Sequence, residues 1–210
     1  MKRAITTAAI LTGLPLTTAI MTSSPASAVP PPPPGATTAK SELAALKVKK
    51  EISLSGYSRA KFPHWIDQGF GCSTREVVLM RDGKGVRVGS DCYPTKGSWY
   101  SPYDGKTVTS PHKVDIEHLV ALSEAWRSGA KSWTTARRQA FANDLRHAEL
   151  WISDHPLNMD KGGKDPGRWL PPRSAFRCTY ARSYVQVKYA WSLSVNTAEK
   201  KALTSLLNKC

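Results

Sequence analysis

Along the chain the apolar positions first form one dense cluster, then recur at helical spacing, then alternate, then return to helical spacing. The cluster runs from Ala8 to Ile20, behind Lys2 and Arg3 and ahead of Ala26-Ser27-Ala28. A charged start, an apolar middle and a small-x-small site describe a secretory signal peptide over residues 1–28. Gly13, Pro15 and the interspersed threonines leave the run too short and too broken to span a bilayer. Residues 29–36 then read as a proline-rich spacer, a stiff polyproline II segment without a core. The remainder, residues 37–210, has the length of one domain.

Within that domain "TTAKSELAALKVKK" predicts a short helix, with Leu43, Ala45 and Leu46 inward and Lys47, Lys49 and Lys50 solvated. From Gly71 to Val120 the pattern turns to strands. Val77 to Met80, the turn "RDGKG", then Val86 and Val88 in alternation predict a hairpin. "GSWYSPYDGKTVTS" predicts a second extended pair and "KVDIEHLV" a third strand. After Ala121 the period is helical. "LSEAWRSG" is a short helix stopped by Gly129, and "WTTARRQAFANDL" a helix capped by Thr134 or Thr135, with Ala140, Phe141 and Leu145 on one side. "AELWIS" is a brief strand, and "DHPLNMDKGG" one or two helical turns with a glycine stop. Phe176, Tyr180, Tyr184, Val187 and Trp191 fall on one face of a longer helix and read as core rather than as a stacking platform. A capping box of Asn196 and Glu199 starts the last helix, packed through Leu203, Leu206 and Leu207. The class is α+β.

Charge narrows the partners. Thirty basic residues face 16 acidic ones, and removing the leader takes two basic residues, leaving 28 − 16 = +12. Nucleic acid, an anionic cell-surface polymer or acidic lipid would match such an excess. Cys72, Cys92, Cys178 and Cys210 form an even set behind an export signal and predict two disulfides. Three pairings are possible; Cys72–Cys92 and Cys178–Cys210 are expected because each pair lies within one local region. No two cysteines are spaced for a zinc knuckle.

Candidate chemistry concentrates in "VDIEH". Alternation along a strand turns Asp115 and Glu117 to one face, with His118 opposite unless the strand ends there. One or two carboxylates are enough for a magnesium-like ion, which keeps several waters, and a neutral histidine can take a proton from water. A surface ion cluster is the plainer reading of this stretch alone. The later stretch "ELWISDHPLNMDKGGKDPGRWLPP" adds a strand, a turn and a short helix carrying Asn158 and Lys161.

Together these resemble the ββα-metal layout of HNH endonucleases. "DIEH" is similar to the family's Asp-His motif, with glutamate in place of aspartate, and "LNMDKGGKDP" to its Asn-x-x-Lys-Gly end. The text from "YSRAKFPHWIDQGFGCSTREVVL" through "SPYDG" to "DPGRWLPP" and the terminal cysteine is similar to small exported HNH-family nucleases of actinomycete-type bacteria. The resemblance covers nearly the whole chain after the spacer. It implies a ββα-metal core with extra β-hairpins and packed C-terminal helices. It implies His118 as general base, Glu117 and Asn158 as metal ligands, and Lys161 near the phosphate. Asp115 would support His118 or be a further ligand, and His155 is a competing ligand. The family's middle asparagine has no clean counterpart; by spacing its place falls near Glu149. The implied cofactor is a divalent metal, Mg2+ foremost with Mn2+ or Zn2+ as alternatives, and the products a 5′-phosphate and a 3′-hydroxyl.

For the substrate surface, Lys164, Arg168, Arg173, Arg177 and Lys188 follow the motif, and the last two, eleven apart, share a helix face. Such residues hold phosphates without reading bases, so DNA, with RNA as a second substrate, would be bound with little sequence preference. Arg59 and His64 read as packing residues, His112 and His147 as exposed. The expected protein is a secreted, monomeric, metal-dependent endonuclease that makes no membrane contact once the leader is removed. The rival is a basic, disulfide-stapled binding protein of the cell envelope with an inactive HNH-like site. The two part on whether Glu117, His118 and Asn158 converge.

Overall fold

A computed structural model describes Met1 and residues 30–210; the leader assigned to residues 1–28 lies, beyond Met1, outside the described residues. Helix α1 (Ala36–Ala45) follows the prolines and buries Ala39 and Leu43, with Leu46 just beyond it, while Ala45 faces solvent. Val48 then bridges to Val195, tying this arm to the far end of the chain.

The predicted first hairpin is corrected. Its Val77–Met80 arm is the middle of a helix, α2 (Thr74–Asp82), which Ser73 and Glu76 open with a reciprocal capping box. Val78 and Leu79 are buried on one helical face, so the apolar run is a stripe rather than a strand. Strand β1 (Gly83–Val88) starts at the next residue and pairs with β2 (Pro94–Tyr100), and β2 pairs with β3 (Thr107–Val108), all antiparallel. The second extended pair is thus β2–β3, as expected.

Strand β4 (Val114–His118) pairs with β5 (Leu150–Asp154) in a separate antiparallel ribbon, in the register Glu117↔Trp151 and His118↔Leu150. The insert between them carries α3 (Leu122–Arg127) and α4 (Thr135–Ala142), the latter capped by Thr134. Helix α5 (His155–Lys161) begins at the residue after β5, and Gly162, at φ 48°, ends it in a backbone conformation that favours glycine. The long aromatic helix is α6 (Arg177–Ala190) and the last is α7 (Thr197–Leu207), opened by the Asn196–Glu199 capping box.

Two cores result. The larger lies among α1, α3, α6 and α7 and is filled by Phe62, Tyr103, Trp126, Phe141, Tyr180 and Tyr184. The smaller joins α2 and Trp99 to Val114, Ile116, Leu150 and Ile152 of the ribbon. Burying each such side chain contributes about 1.5–3 kcal/mol. Disulfides Cys72–Cys92 and Cys178–Cys210 form as paired from the sequence, with Cα separations of 5.2 and 5.6 Å. Among the described residues no helix is long and apolar enough to cross a membrane.

Candidate active site

The ribbon has one apolar face, on the smaller core. Alternation turns Asp115 and Glu117 to the other, where α5 lies across them. Because α5 leaves β5 without a loop, its positions 155, 158 and 161 share the side that meets β4. Asp115 Oδ2 accepts from Asn158 Nδ2 at 2.9 Å and pairs with His155 Nδ1 at 2.9 Å. Glu117 Oε1 pairs with the Lys161 ammonium, which also donates to the His118 carbonyl at 3.1 Å. Glu117 and Lys161 are only 6 % and 1 % exposed, so this ion pair is sealed from water. Burial holds the Glu117 carboxyl above the usual glutamate range in spite of the lysine.

His118 is the last residue of β4, where strict alternation ends. Its Nε2 lies 2.9 Å from the Ala142 carbonyl, and its ring stacks on Trp65 at 5.3 Å and 25°. A carbonyl can only accept, so Nε2 carries the hydrogen and Nδ1 keeps the lone pair. Burial pushes the imidazole down to about 3, outweighing the carbonyl, so the ring is neutral near pH 7. Trp65 holds a left-handed backbone at φ 58°, a strain of about 1–3 kcal/mol, where its ring meets the histidine.

The residue that fixes this arrangement went unremarked in the sequence. Asn143 follows Ala142 and is buried. Its Oδ1 accepts from Thr74 Oγ1 at 2.7 Å and Ile66 N at 3.2 Å, and its Nδ2 donates to Pro63 O at 2.8 Å and Gln139 O at 2.7 Å. One amide thereby joins the end of α4, the start of α2 and the segment carrying Trp65. The only hint in the sequence is an asparagine at a helix end. Glu149, where spacing put the middle asparagine, is buried too. Its Oε2 accepts from Val120 N at 3.0 Å and its carbonyl from Leu119 N, fastening the chain as it leaves β4. Burial raises its carboxyl well above the ordinary range.

Glu117, His118 and Asn158 line one cleft of about 220 Å3, together with Tyr57, Arg59 and Ser123. Arg59 is therefore a cleft residue rather than the packing residue expected. Its Nε donates to His64 Nε2 at 3.2 Å, its backbone is set by a 3-10 turn that Ser58 caps, and its guanidinium has no carboxylate partner among the described residues. Asp115 is not in the cleft wall; it orients Asn158. Lys161 is corrected likewise: its buried ammonium holds Glu117 and cannot reach a phosphate in the cleft.

The donor set suits a hard cation. Glu117 keeps its second oxygen and Asn158 its Oδ1 outside the contacts described, and both residues line the cleft. A separate acidic group, Glu51, Glu124 and Asp165, lies within ligand range of itself. It is already neutralised: Arg127 pairs with Glu51 and Glu124, Arg168 with Glu51 and Asp165, and Lys188 with Glu124 at 2.9 Å and Glu199 at 2.6 Å.

That network removes Lys188 from the expected substrate surface. Lys188 is wholly buried at its centre. Burial works against the charge, but Glu199 and Glu124 outweigh it and hold the ammonium above the usual lysine value. Arg177 is half-buried with Nε on the Pro171 carbonyl, and Arg173 lies over the Tyr100 ring. Arg168 and Lys164 are exposed but paired, the latter with Asp160.

A strand, a strand and a helix bring a carboxylate residue, a histidine and an asparagine to the lining of one cleft. The profile of the GmrSD restriction endonucleases, C-terminal domain, matches residues 86–206. The chain belongs to that family, which supports a nuclease-related protein. It is 51% identical over 175 residues, 83% of this chain and 86% of the relative, to an "Uncharacterized secreted protein" of Arthroderma benhamiae (strain ATCC MYA-4681 / CBS 112371). No solved structure matches.

Proposed function

We propose that this chain is a secreted, divalent-metal-dependent endonuclease of HNH type, with β4–β5–α5 as its ββα-metal core. Its substrate is DNA, with RNA as a second substrate, cut with little sequence preference. The observation that carries the reading is the convergence of Glu117, His118 and Asn158 in one cleft. The family match supports it, and the relative's description together with two disulfides supports export behind a leader of residues 1–28.

His118 is held neutral with Nε2 anchored, so Nδ1 takes a proton from water, and the hydroxide attacks phosphorus. The P–O3′ bond breaks, leaving a 5′-phosphate and a 3′-oxygen that is protonated from solvent. Arg59, oriented by His64 and free of any carboxylate, is the group placed to hold the phosphate oxygens. Glu117 and Asn158 would hold the metal, with Lys161 and Asp115 keeping them in place. When bound, a Mg2+-like ion supplies Lewis-acid charge at the phosphate. Loss of supercoiled plasmid in Mg2+, with a chelator control, tests the reading. His118→Ala should cut at least about 10²-fold more slowly, the low end of a general base's contribution. A variant that kept more than about a tenth of the rate would remove His118 from that role.

A further inference from the structure

A cluster of lysines lies away from α6, along the seam between the end of α1 and α7. Adjoining hollows there share Val48 and Thr197, and are lined by Lys49, Lys50, Arg168, Thr197, Lys200 and Lys201. The four lysines enter none of the ion pairs among the described residues. Glu51 is the one carboxylate lining these hollows, and it is neutralised by Arg127 and Arg168. The helix that forms one wall has 11 residues, about 16 Å of length at 1.5 Å per residue.

This groove reaches the cleft through a short relay. Arg168 and Glu51 close one end of it. Arg127, bound to Glu51, donates to the Gly163 carbonyl, and the Gly163 backbone packs so tightly on Ser123 that a Cβ would strike the hydroxyl. Ser123 and Gly162 line the cleft. Val48 is the one exposed large apolar side chain lining these hollows, whereas a membrane surface would call for several that insert together.

We infer that the α1–α7 groove binds the phosphate backbone of a nucleic acid whose scissile phosphate sits in the cleft, an inference that rests on the hydrolase reading for its occupant. The probe is a 30-base-pair duplex, bound in chelator so that catalysis plays no part. The variant is Lys49→Ala with Lys50→Ala, Lys200→Ala and Lys201→Ala. Its affinity should fall at least tenfold near 0.1 M salt, and the salt slope should become shallower by about two to three units, at up to about 0.9 per lost phosphate contact. A control removing charge from the β1–β2 hairpin, Lys84→Ala with Lys96→Ala, should bind nearly as wild type. Unchanged affinity and slope in the groove variant would overturn the inference, as would an equal loss in the control. So would loss of binding to phosphatidylglycerol vesicles with duplex binding intact. A wild-type protein that binds duplex through these lysines yet leaves plasmid uncut with Mg2+, Mn2+ or Zn2+ would sink the hydrolase reading and leave the groove standing.

Discussion

Lys161 is an ammonium with almost no access to water, and it faces two acceptors, the Glu117 carboxylate and the His118 carbonyl. A buried pair of this kind contributes little net stability, because desolvation offsets the attraction, but breaking it from one side is costly. Lys161→Met should therefore lower unfolding free energy by about 3–5 kcal/mol, and adding Glu117→Gln should restore much of that. Urea denaturation of the two variants decides it: equal loss in both would mean that the lysine's stem, not its charge, matters. Arg59 poses the opposite case. It is exposed and bonded only to His64, so Arg59→Ala should leave stability within about 0.5 kcal/mol of wild type. Cleavage should drop at least tenfold, also on a thymidine nitrophenyl phosphodiester too small to leave the cleft. A loss seen only on long DNA would move Arg59 to a flanking phosphate.

Between elements, Asn143 is the joint. Asn143→Ala would leave Ile66 N–H and two carbonyls without the partner it supplies, a loss of about 3 kcal/mol or more at 1–3 kcal/mol per orphaned group. Because the Ala142 carbonyl would lose its fixed place, kcat should fall more than KM rises; a change confined to stability would show that His118 is held without it. Much of the element order could be read from the chain: β4, β5 and α5 follow from alternation, a Pro-Leu-Asn turn and a glycine stop. Helix α2 could not be separated from a strand by its apolar quartet, since Val77–Met80 fits a buried strand as well as a helical stripe. The deciding signal was Ser73-x-x-Glu76, the same device that marked α7 from Asn196 and Glu199. Glu117, His118 and Asn158 were legible because strand alternation and helix spacing are local rules. Asn143 was not, because its four bonds reach partners up to 80 residues away.

At the scale of the molecule, charge is divided into a sealed network and an open excess. Lys188 shows why the sequence misled: its helix position is local, but Glu124 and Glu199 arrive from other elements. Burial raises Glu199 to about 7, with Lys188 opposing and Glu124 reinforcing the shift. A carboxyl whose folded pKa exceeds its unfolded value stabilises the fold at low pH, and that contribution is lost as pH rises through about 7. The melting temperature should thus decline between pH 5 and 8, and Glu199→Gln should flatten the decline. A profile in the variant as steep as wild type would place the titration elsewhere.

Cys72–Cys92 fastens the loop that follows Trp65, and Cys178–Cys210 ties the end of α7 to α6. Neither bond persists in a reducing cytosol. Before export the chain would carry four thiols, with the loop after Trp65 and the end of α7 both unfastened. On the proposed function, a producing cell would then hold the chain in this unfastened form until it leaves the cytosol.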